Sequence, residues 1–112
     1  MRTWRRVTAT PQLLTVGPVT LDAARHHALL GGYLVHLPAE ETAILAVLMR
    51  NPGRVITHDE LLRATGRSPT SRKRQDRLAR RLSGRLLVNP LLPRLIEPVD
   101  LIGYRFTLTP PT

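Results

Sequence analysis

The sequence predicts an α+β fold in which an antiparallel sheet comes first, three helices follow, and a β-hairpin closes the domain. Short apolar runs broken by glycine and proline occupy residues 13–37, as expected for strands joined by tight turns. From about residue 38 to residue 86, apolar residues recur at helical spacing. Two further extended segments, about 95–99 and 104–108, flank a turn at residues 100–103.

The composition is that of one folded domain with a strong positive charge. The chain has 112 residues, of which 42% are apolar, and a net charge of +9. This length is enough to bury a single hydrophobic core. We expect the domain to span residues 13–108, after a basic arm at residues 1–12 and before a short tail at residues 109–112.

The sequence also excludes several classes of protein. There is no cysteine, so neither a disulfide framework nor a thiolate metal site is possible. No apolar run is long enough to span a membrane, and no signal peptide is recognisable. We therefore expect a cytoplasmic protein without a membrane partner, associated with the nucleoid if its charge serves DNA binding.

Within the first sheet, up to four strands are expected at about residues 13–16, 19–21, 28–30 and 33–37. Gly31 and Gly32 separate the last two runs, and both residue positions can adopt positive φ. This pair predicts a two-residue hairpin turn.

The first two helices have recognisable ends. The first should begin at Pro38 and end at about Asn51, where a proline and a glycine follow. The second should begin at Thr57, because Thr57 and Glu60 have the spacing of a capping box, and end at Gly66. The third helix has two alternative starts, one at Ser68-Pro69 and one at the hydroxyl residues 70–71.

The third helix is the most informative segment. Eight of the 17 basic residues lie within residues 67–85, against one acid, Asp76. At 100° per residue, with Arg74 at 0°, an apolar arc spans about 40° to 140°, and Arg77, Arg81 and Arg85 lie within about 60° of Arg74. One face can therefore pack on a core while another stays cationic. Guanidinium groups suit both phosphate oxygens and the guanine edge, so the segment predicts binding to nucleic acid.

Several local motifs accompany this order of elements. They are Val16-Gly17-Pro18-Val19-Thr20-Leu21-Asp22, Gly32-Tyr33-Leu34-Val35-His36-Leu37-Pro38-Ala39-Glu40, the stretch Leu45-Ala46-Val47-Leu48-Met49-Arg50-Asn51-Pro52-Gly53-Arg54-Val55-Ile56-Thr57, Asp76, Arg81-Leu82, Arg85-Leu86 and Gly103-Tyr104-Arg105-Phe106. Together with the order of elements, these motifs resemble the DNA-binding domain of OmpR/PhoB-type response regulators. The resemblance covers residues 13–108 and implies a winged helix-turn-helix. It implies a transcriptional regulator that places a recognition helix, about residues 69–86, in the major groove of double-stranded DNA and a wing, about residues 95–108, near the minor groove.

The resemblance also implies which residues and partners are involved. The turn at residues 65–71 would contact RNA polymerase or a sigma factor, and a homodimer on DNA is compatible with the sequence. The DNA-facing residues carried over to the third helix are Lys73, Arg74, Asp76, Arg77, Arg80 and Arg81. Phosphate contacts are expected from Arg72, from Arg54 or His58, and from Arg105 on the wing.

Asp76 has two candidate roles. Its carboxylate could accept a hydrogen bond from a cytosine amine, or it could order Arg80 through a pair four residues apart. We expect the second role.

The sequence departs from the family pattern at three points. The 12 residues before Leu13 are too few for a receiver domain, so we expect that phospho-aspartate regulation is not encoded here. Ser83 stands where the family commonly has arginine, and Gly84 follows, at a cost of about 1 kcal/mol relative to alanine in a helix. Asp100 and Leu101 stand where the family tends to have a basic residue and a glycine, and an aspartate would be repelled by phosphates.

Catalysis has no support in the sequence. Its histidines, His26, His27, His36 and His58, lack metal-site spacing, and there is no glycine-rich phosphate loop. We expect neither enzymatic activity nor a cofactor.

Two function classes remain open. The first is a sequence-specific regulator that binds double-stranded DNA. The alternative is a protein-interaction module of the same fold, whose wing docks RNA polymerase or a sigma factor while the basic helix binds DNA non-specifically.

Overall fold

A computed structural model describes residues 13–65 and 72–109. The expected N-terminal arm, the turn at residues 66–71 with both alternative starts of the third helix, and residues 110–112 of the tail lie outside the described residues. The described part has the predicted order of a sheet, three helices and a hairpin.

The N-terminal sheet contains four consecutive antiparallel strands, as predicted. They are β1 (Leu13–Val16), β2 (Val19–Asp22), β3 (His27–Leu30) and β4 (Tyr33–His36). The predicted turn between β3 and β4 is confirmed, since Gly31 and Gly32 have φ angles of +57° and +96°. A Cβ atom at Gly31 would also lie 2.7 Å from the side-chain nitrogen of Asn89, so this glycine allows close packing as well as the turn.

The first helix, α1, spans Ala39–Arg50 and forms the centre of the molecule. Pro38 occupies its N-cap with extended backbone, so the helix begins one residue later than predicted. Most of the helix is buried, because it packs against β1 on one side, against β7 (Gly103–Phe106) on another, and against both other helices. Asn51 ends it by donating a hydrogen bond from its side-chain amide to the carbonyl of Val47, at 2.9 Å.

The second helix, α2, spans His58–Thr65 and begins with the predicted capping box. The amide of Glu60 donates to the hydroxyl of Thr57 at 3.1 Å, and the Glu60 carboxylate accepts from the amide of Thr57 at 3.0 Å. These bonds satisfy two donors that a helix start leaves without partners.

The third helix, α3, spans Arg72–Arg85 and continues into a 3₁₀ turn at Leu86–Val88. The helix passes through Gly84 without a break, and the backbone departs from helical geometry only at Leu87. Asn89 then ties this end of the chain to the first sheet by donating to the carbonyl of Leu30 at 2.9 Å.

The second sheet has three strands, of which one was not predicted. Strand β5 (Val55–Thr57) pairs with β7, and β7 pairs with β6 (Ile96–Val99), giving the order β5-β7-β6. The predicted C-terminal hairpin is thus confirmed and is also fastened to the start of α2. A Cβ atom at Gly103 would lie 1.9 Å from the carbonyl oxygen of Ile56, so the close approach of β7 to β5 requires glycine there.

Candidate nucleic-acid interface

Helix α3 is amphipathic in the predicted sense. Gln75, Ala79 and Leu82 are buried against the rest of the domain and Leu78 is half-buried. Ser83 extends the buried face further than the sequence suggested. The side chains that remain exposed are almost all cationic, namely Arg72, Lys73, Arg74, Arg77, Arg80, Arg81 and Arg85.

The two cations nearest α1 are held by acids of that helix. Arg74 donates to the carboxylate of Glu40 at 2.6 Å, and Arg85 donates to that of Glu41 at 2.7 Å. Glu41 is 2% exposed, so its charge lies inside the protein and Arg85 compensates it. Glu40 and Glu41 thus fasten α3 to α1.

The cations at the centre of the exposed face of α3 have a different environment from Arg74 and Arg85. Arg77 and Arg81 lie one turn apart, both exposed, and neither has an acidic partner within the described residues. Lys73 and Arg80 are also exposed, and Arg80 lines a groove beside the wing hairpin. Their charges are therefore available to an anionic partner.

Asp76 does not form the expected pair with Arg80. Its carboxylate accepts a hydrogen bond from the hydroxyl of Tyr104 on β7, and no ion pair joins it to Arg80. Burial raises the pKa of Tyr104 well above its ordinary value, and the hydrogen bond and negative charge of Asp76 raise it further. Asp76 therefore fastens α3 to the three-stranded wing sheet, β5-β7-β6.

His58, which was predicted as an alternative to Arg54 for a phosphate contact, lies inside the domain. The residue is 8% exposed, and its Nδ1 donates to the side-chain oxygen of Gln75 on α3. The Gln75 amide in turn donates to the backbone carbonyl of His58 at 3.3 Å. The imidazole also packs edge-on against the ring of Tyr104, with 5.4 Å between ring centroids. His58 thus joins α2, α3 and the wing sheet.

Arg54, the alternative to His58, is half-exposed at the start of β5. It donates hydrogen bonds to Glu60 and Asn51. The backbone hydrogen bond from Thr57, with Arg54 as a smaller cause, lowers the pKa of Glu60. Arg54 is therefore already paired with Glu60, in the first turn of α2.

The wing hairpin presents fewer charges than expected. Arg105 pairs with Glu97 on the neighbouring strand. Asp100 and Leu101 form the tip, with φ angles of +41° and +66°, and Leu101 is 87% exposed. The tip is therefore acidic and apolar, whereas the side of α3 next to it is basic.

The interactions that hold this surface in place were not predictable from the sequence. The hydrogen bonds from Tyr104 to Asp76 and between His58 and Gln75, and the pair between Arg85 and Glu41, each join residues at least 17 positions apart. No local sequence signal marks such pairs. Arg94 was not predicted either; it is exposed at the base of the wing and lines the same groove as Arg72 and Arg80.

Neither a metal-binding cluster nor a membrane-spanning helix is found among the described residues. In residues 13–65 and 72–109, no three histidine, aspartate or glutamate side chains are grouped to hold a metal ion. None of the helices described is long and apolar enough to cross a membrane.

A cationic helix held beside a β-hairpin, on two helices and an N-terminal sheet, is the architecture of a winged-helix DNA-binding domain. Residues 32–106 match the family described as "Transcriptional regulatory protein, C terminal". The chain belongs to this family, the DNA-binding domain of OmpR/PhoB-type regulators, and it is not an enzyme.

Similarity to individual proteins agrees with this membership. The chain is 34% identical over 95 residues to the sensory transduction protein RegX3 of Mycobacterium leprae, and the matched region covers 83% of the chain and 48% of RegX3. It is similar to the response regulator DrrB of Thermotoga maritima, an OmpR/PhoB homologue (TM-score 0.70, 32% identity, 86% of this chain and 44% of DrrB). It is also similar to the RstA DNA-binding domain of Klebsiella pneumoniae in complex with the RstA box (TM-score 0.71, 26% identity, 86% of this chain and 97% of that domain). The chain thus spans about half the length of the curated relatives it matches.

Proposed function

We propose that this domain binds double-stranded DNA sequence-specifically and thereby regulates transcription, with α3 in the major groove and the wing near the minor groove. The observation that carries the proposal is the position of Arg77 and Arg81. They occupy the middle of the exposed face of α3 without an acidic partner among the described residues, while Arg74 and Arg85 at its edge are paired with α1. The solved RstA complex with its box supports the same use of the fold.

The remaining cations would position the domain rather than select the sequence. Lys73 and Arg80 flank the central pair, and Arg72 lies at the start of the helix, as expected for contacts to phosphate. Arg54 and Arg105 lie further out and are already paired with glutamates, so we assign them weaker phosphate contacts. Such contacts give affinity that falls with salt concentration but little discrimination between bases.

The experiment first selects bound genomic fragments, then compares affinity for the selected site and for random DNA. Arg77→Ala or Arg81→Ala should cost about 1–3 kcal/mol on the selected site and less on random DNA, because a base contact is lost only where the correct base is present. Arg50→Ala is the matched control, since Arg50 is exposed at the far end of α1. Equal losses on both DNAs would assign Arg77 and Arg81 to phosphate and remove the proposed specificity. The urea midpoint of each variant shows that it remains folded.

A second candidate function is favoured by the wing tip. Leu101 and Ile102 are exposed next to Asp100, a combination suited to a protein surface rather than to phosphates. In this alternative the wing, together with the turn at residues 65–71, docks RNA polymerase or a sigma factor, and α3 binds DNA only non-specifically. Failure of genomic selection to return a common sequence would favour it, whereas two repeated half-sites would indicate a homodimer on DNA.

A further inference from the structure

A groove of about 520 Å³ lies between α3 and the wing hairpin. Ala79, Arg80 and Ser83 of α3 form one wall, and Ile96 and Val99 of β6 contribute to the other. This volume lies within the range of pockets that bind small organic molecules, about 300–1,000 Å³. The proposed base contacts of Arg77 and Arg81 lie on the outer face of α3 and do not account for this groove.

The lining combines apolar walls with a cationic rim. The apolar part consists largely of side chains from the hairpin, Ile96, Pro98, Val99 and Leu101. Three arginines, Arg72, Arg80 and Arg94, surround it. Among the described lining residues the single carboxylate belongs to Asp76, and the Tyr104 hydroxyl already donates to it. The groove therefore favours a ligand with both an apolar body and a negative charge.

Ser83 provides independent evidence for a ligand. Its side chain lines the groove, the residue is 9% exposed, and its Oγ has no hydrogen-bond partner among the described residues. Leaving a buried hydroxyl without a partner is unfavourable, and such groups in folded proteins generally call for an explanation. The Oγ itself is buried, so rotation of the side chain toward the groove would let it donate a hydrogen bond to an oxygen atom of a bound ligand.

We propose that the groove is a binding site for a small amphipathic organic anion, such as a medium-chain or aryl-substituted carboxylate. Its apolar body would pack on Ile96, Val99 and Leu101, its carboxylate would lie beside Arg80 and Arg94, and Ser83 would donate to one of its oxygens. A DNA phosphodiester would neutralise the arginines at the rim but would leave the apolar walls uncovered. The combination therefore fits a small molecule better than the nucleic acid backbone.

Occupancy of the groove would oppose DNA binding, and this consequence rests on the proposed function. Arg80 lines the groove and is also a proposed phosphate contact, so a carboxylate beside it would compete with phosphate for the same charge. The ligand also lies against Leu101 at the wing tip, so it would bias the position of the wing. The site would thus make the domain a sensor as well as a DNA-binding module.

Direct binding is tested without DNA, by titrating the full chain with octanoate and with phenylbutyrate and following amide resonances in heteronuclear NMR spectra. We expect one of these carboxylates to shift the amides of Ser83, Gly84, Leu101 and Gly103, and octanol to bind at least about fivefold more weakly than octanoate if octanoate is the ligand. Arg94→Gln should weaken carboxylate binding about tenfold, because Arg94 belongs to the rim. Arg50→Gln, which removes the same charge elsewhere, should leave it unchanged.

Ser83→Ala is the second variant and removes the hydroxyl with little change of shape. It should raise the urea midpoint, since an unsatisfied buried group is lost, and at the same time weaken carboxylate binding severalfold. Binding of neither carboxylate, equal binding of octanol, or no effect of Arg94→Gln would each overturn the site. If the carboxylate binds as expected but does not lower the affinity for DNA, the ligand site stands and its regulatory role falls.

Discussion

At the scale of single residues, the most consequential side chain is Tyr104. Its hydroxyl holds Asp76 of α3, and its ring packs against His58 of α2. Tyr104 therefore links both α2 and α3 to the hairpin and helps to fix their positions relative to it. Any DNA contact by α3 and the wing together depends on this relationship.

The ionisation of Tyr104 tests this arrangement. Burial and the Asp76 carboxylate raise the pKa of Tyr104, so the phenol stays protonated in the folded protein at pH values where it ionises in the unfolded chain. The resulting stabilisation is fully present below the unfolded value of about 10 and is lost as pH rises through the higher folded value. The Tyr33→Phe protein retains Tyr104 as its one tyrosine. In its native state, tyrosinate absorbance should appear only well above pH 10.

The same protein in guanidinium chloride provides the control, since tyrosinate should then form near pH 10. Unfolding free energy measured across this range should fall with rising pH, and it should fall less steeply in Tyr104→Phe protein. Native tyrosinate formation at pH 10 would show that Asp76 and Tyr104 are not in contact in solution.

At the scale of elements, α1 and α3 are joined by charge as well as by apolar packing. Glu41 is buried, and Arg85 is its partner across the helix interface. Removing one member of such a pair leaves an uncompensated charge inside the protein, which costs more than the pair itself contributes.

Arg85→Ala should therefore lower the unfolding free energy by about 1–3 kcal/mol, a value reduced from that of a fully buried pair because Arg85 is partly exposed. Arg77→Ala is the matched control, since Arg77 has no acidic partner among the described residues and should change stability by no more than about 0.5 kcal/mol. Adding Glu41→Gln to Arg85→Ala should recover part of the loss. Urea denaturation measures all three variants, and equal stability of the Arg85 and Arg77 variants would contradict the prediction.

The elements also show what local sequence signals can predict. The glycine pair at residues 31–32 and the capping box at Thr57 were predictable because each depends on residues close together in the chain. The buried face of α3 followed from its helical period. Strand β5 was missed because three residues are too few to show alternation, and it exists through pairing with β7, almost 50 residues later.

Individual site residues were harder to predict for the same reason. A cation on an exposed helix face was correctly placed by periodicity, but nothing near Arg85 in the sequence indicates Glu41, 44 residues earlier. Likewise, His58 and Asp76 have the chemistry of DNA contacts, and only the folded chain shows that Gln75 and Tyr104 engage them. The DNA-facing roles of Arg77 and Arg81 remain a prediction.

At the scale of the whole molecule, charge is distributed unevenly between the two proposed DNA-contacting elements. The net charge is +9, and α3 carries much of it on its outer face. On the wing, Arg105 is paired with Glu97, and Asp100 stands at the tip. Attraction to DNA would therefore come mainly from the helix, and the wing would be a weak or even unfavourable contributor.

The wing tip provides the test that separates the two candidate functions. If the wing lies along the minor groove, Asp100→Arg removes a repulsion and adds a phosphate contact, so affinity for DNA should rise and the salt dependence should steepen by roughly one to two units. If the wing faces a protein, the change should have little effect, because charges more than about 10 Å from the phosphates are largely screened at ordinary salt. Asp100 has a φ of +41°, so Asp100→Asn serves as the control that removes the charge while tolerating this backbone conformation. Affinity for one selected fragment is measured at two salt concentrations. We expect Asp100→Arg to bind more tightly with the steeper dependence and Asp100→Asn to lie between it and the unaltered protein, whereas unchanged affinity and slope in both variants would place the wing away from DNA.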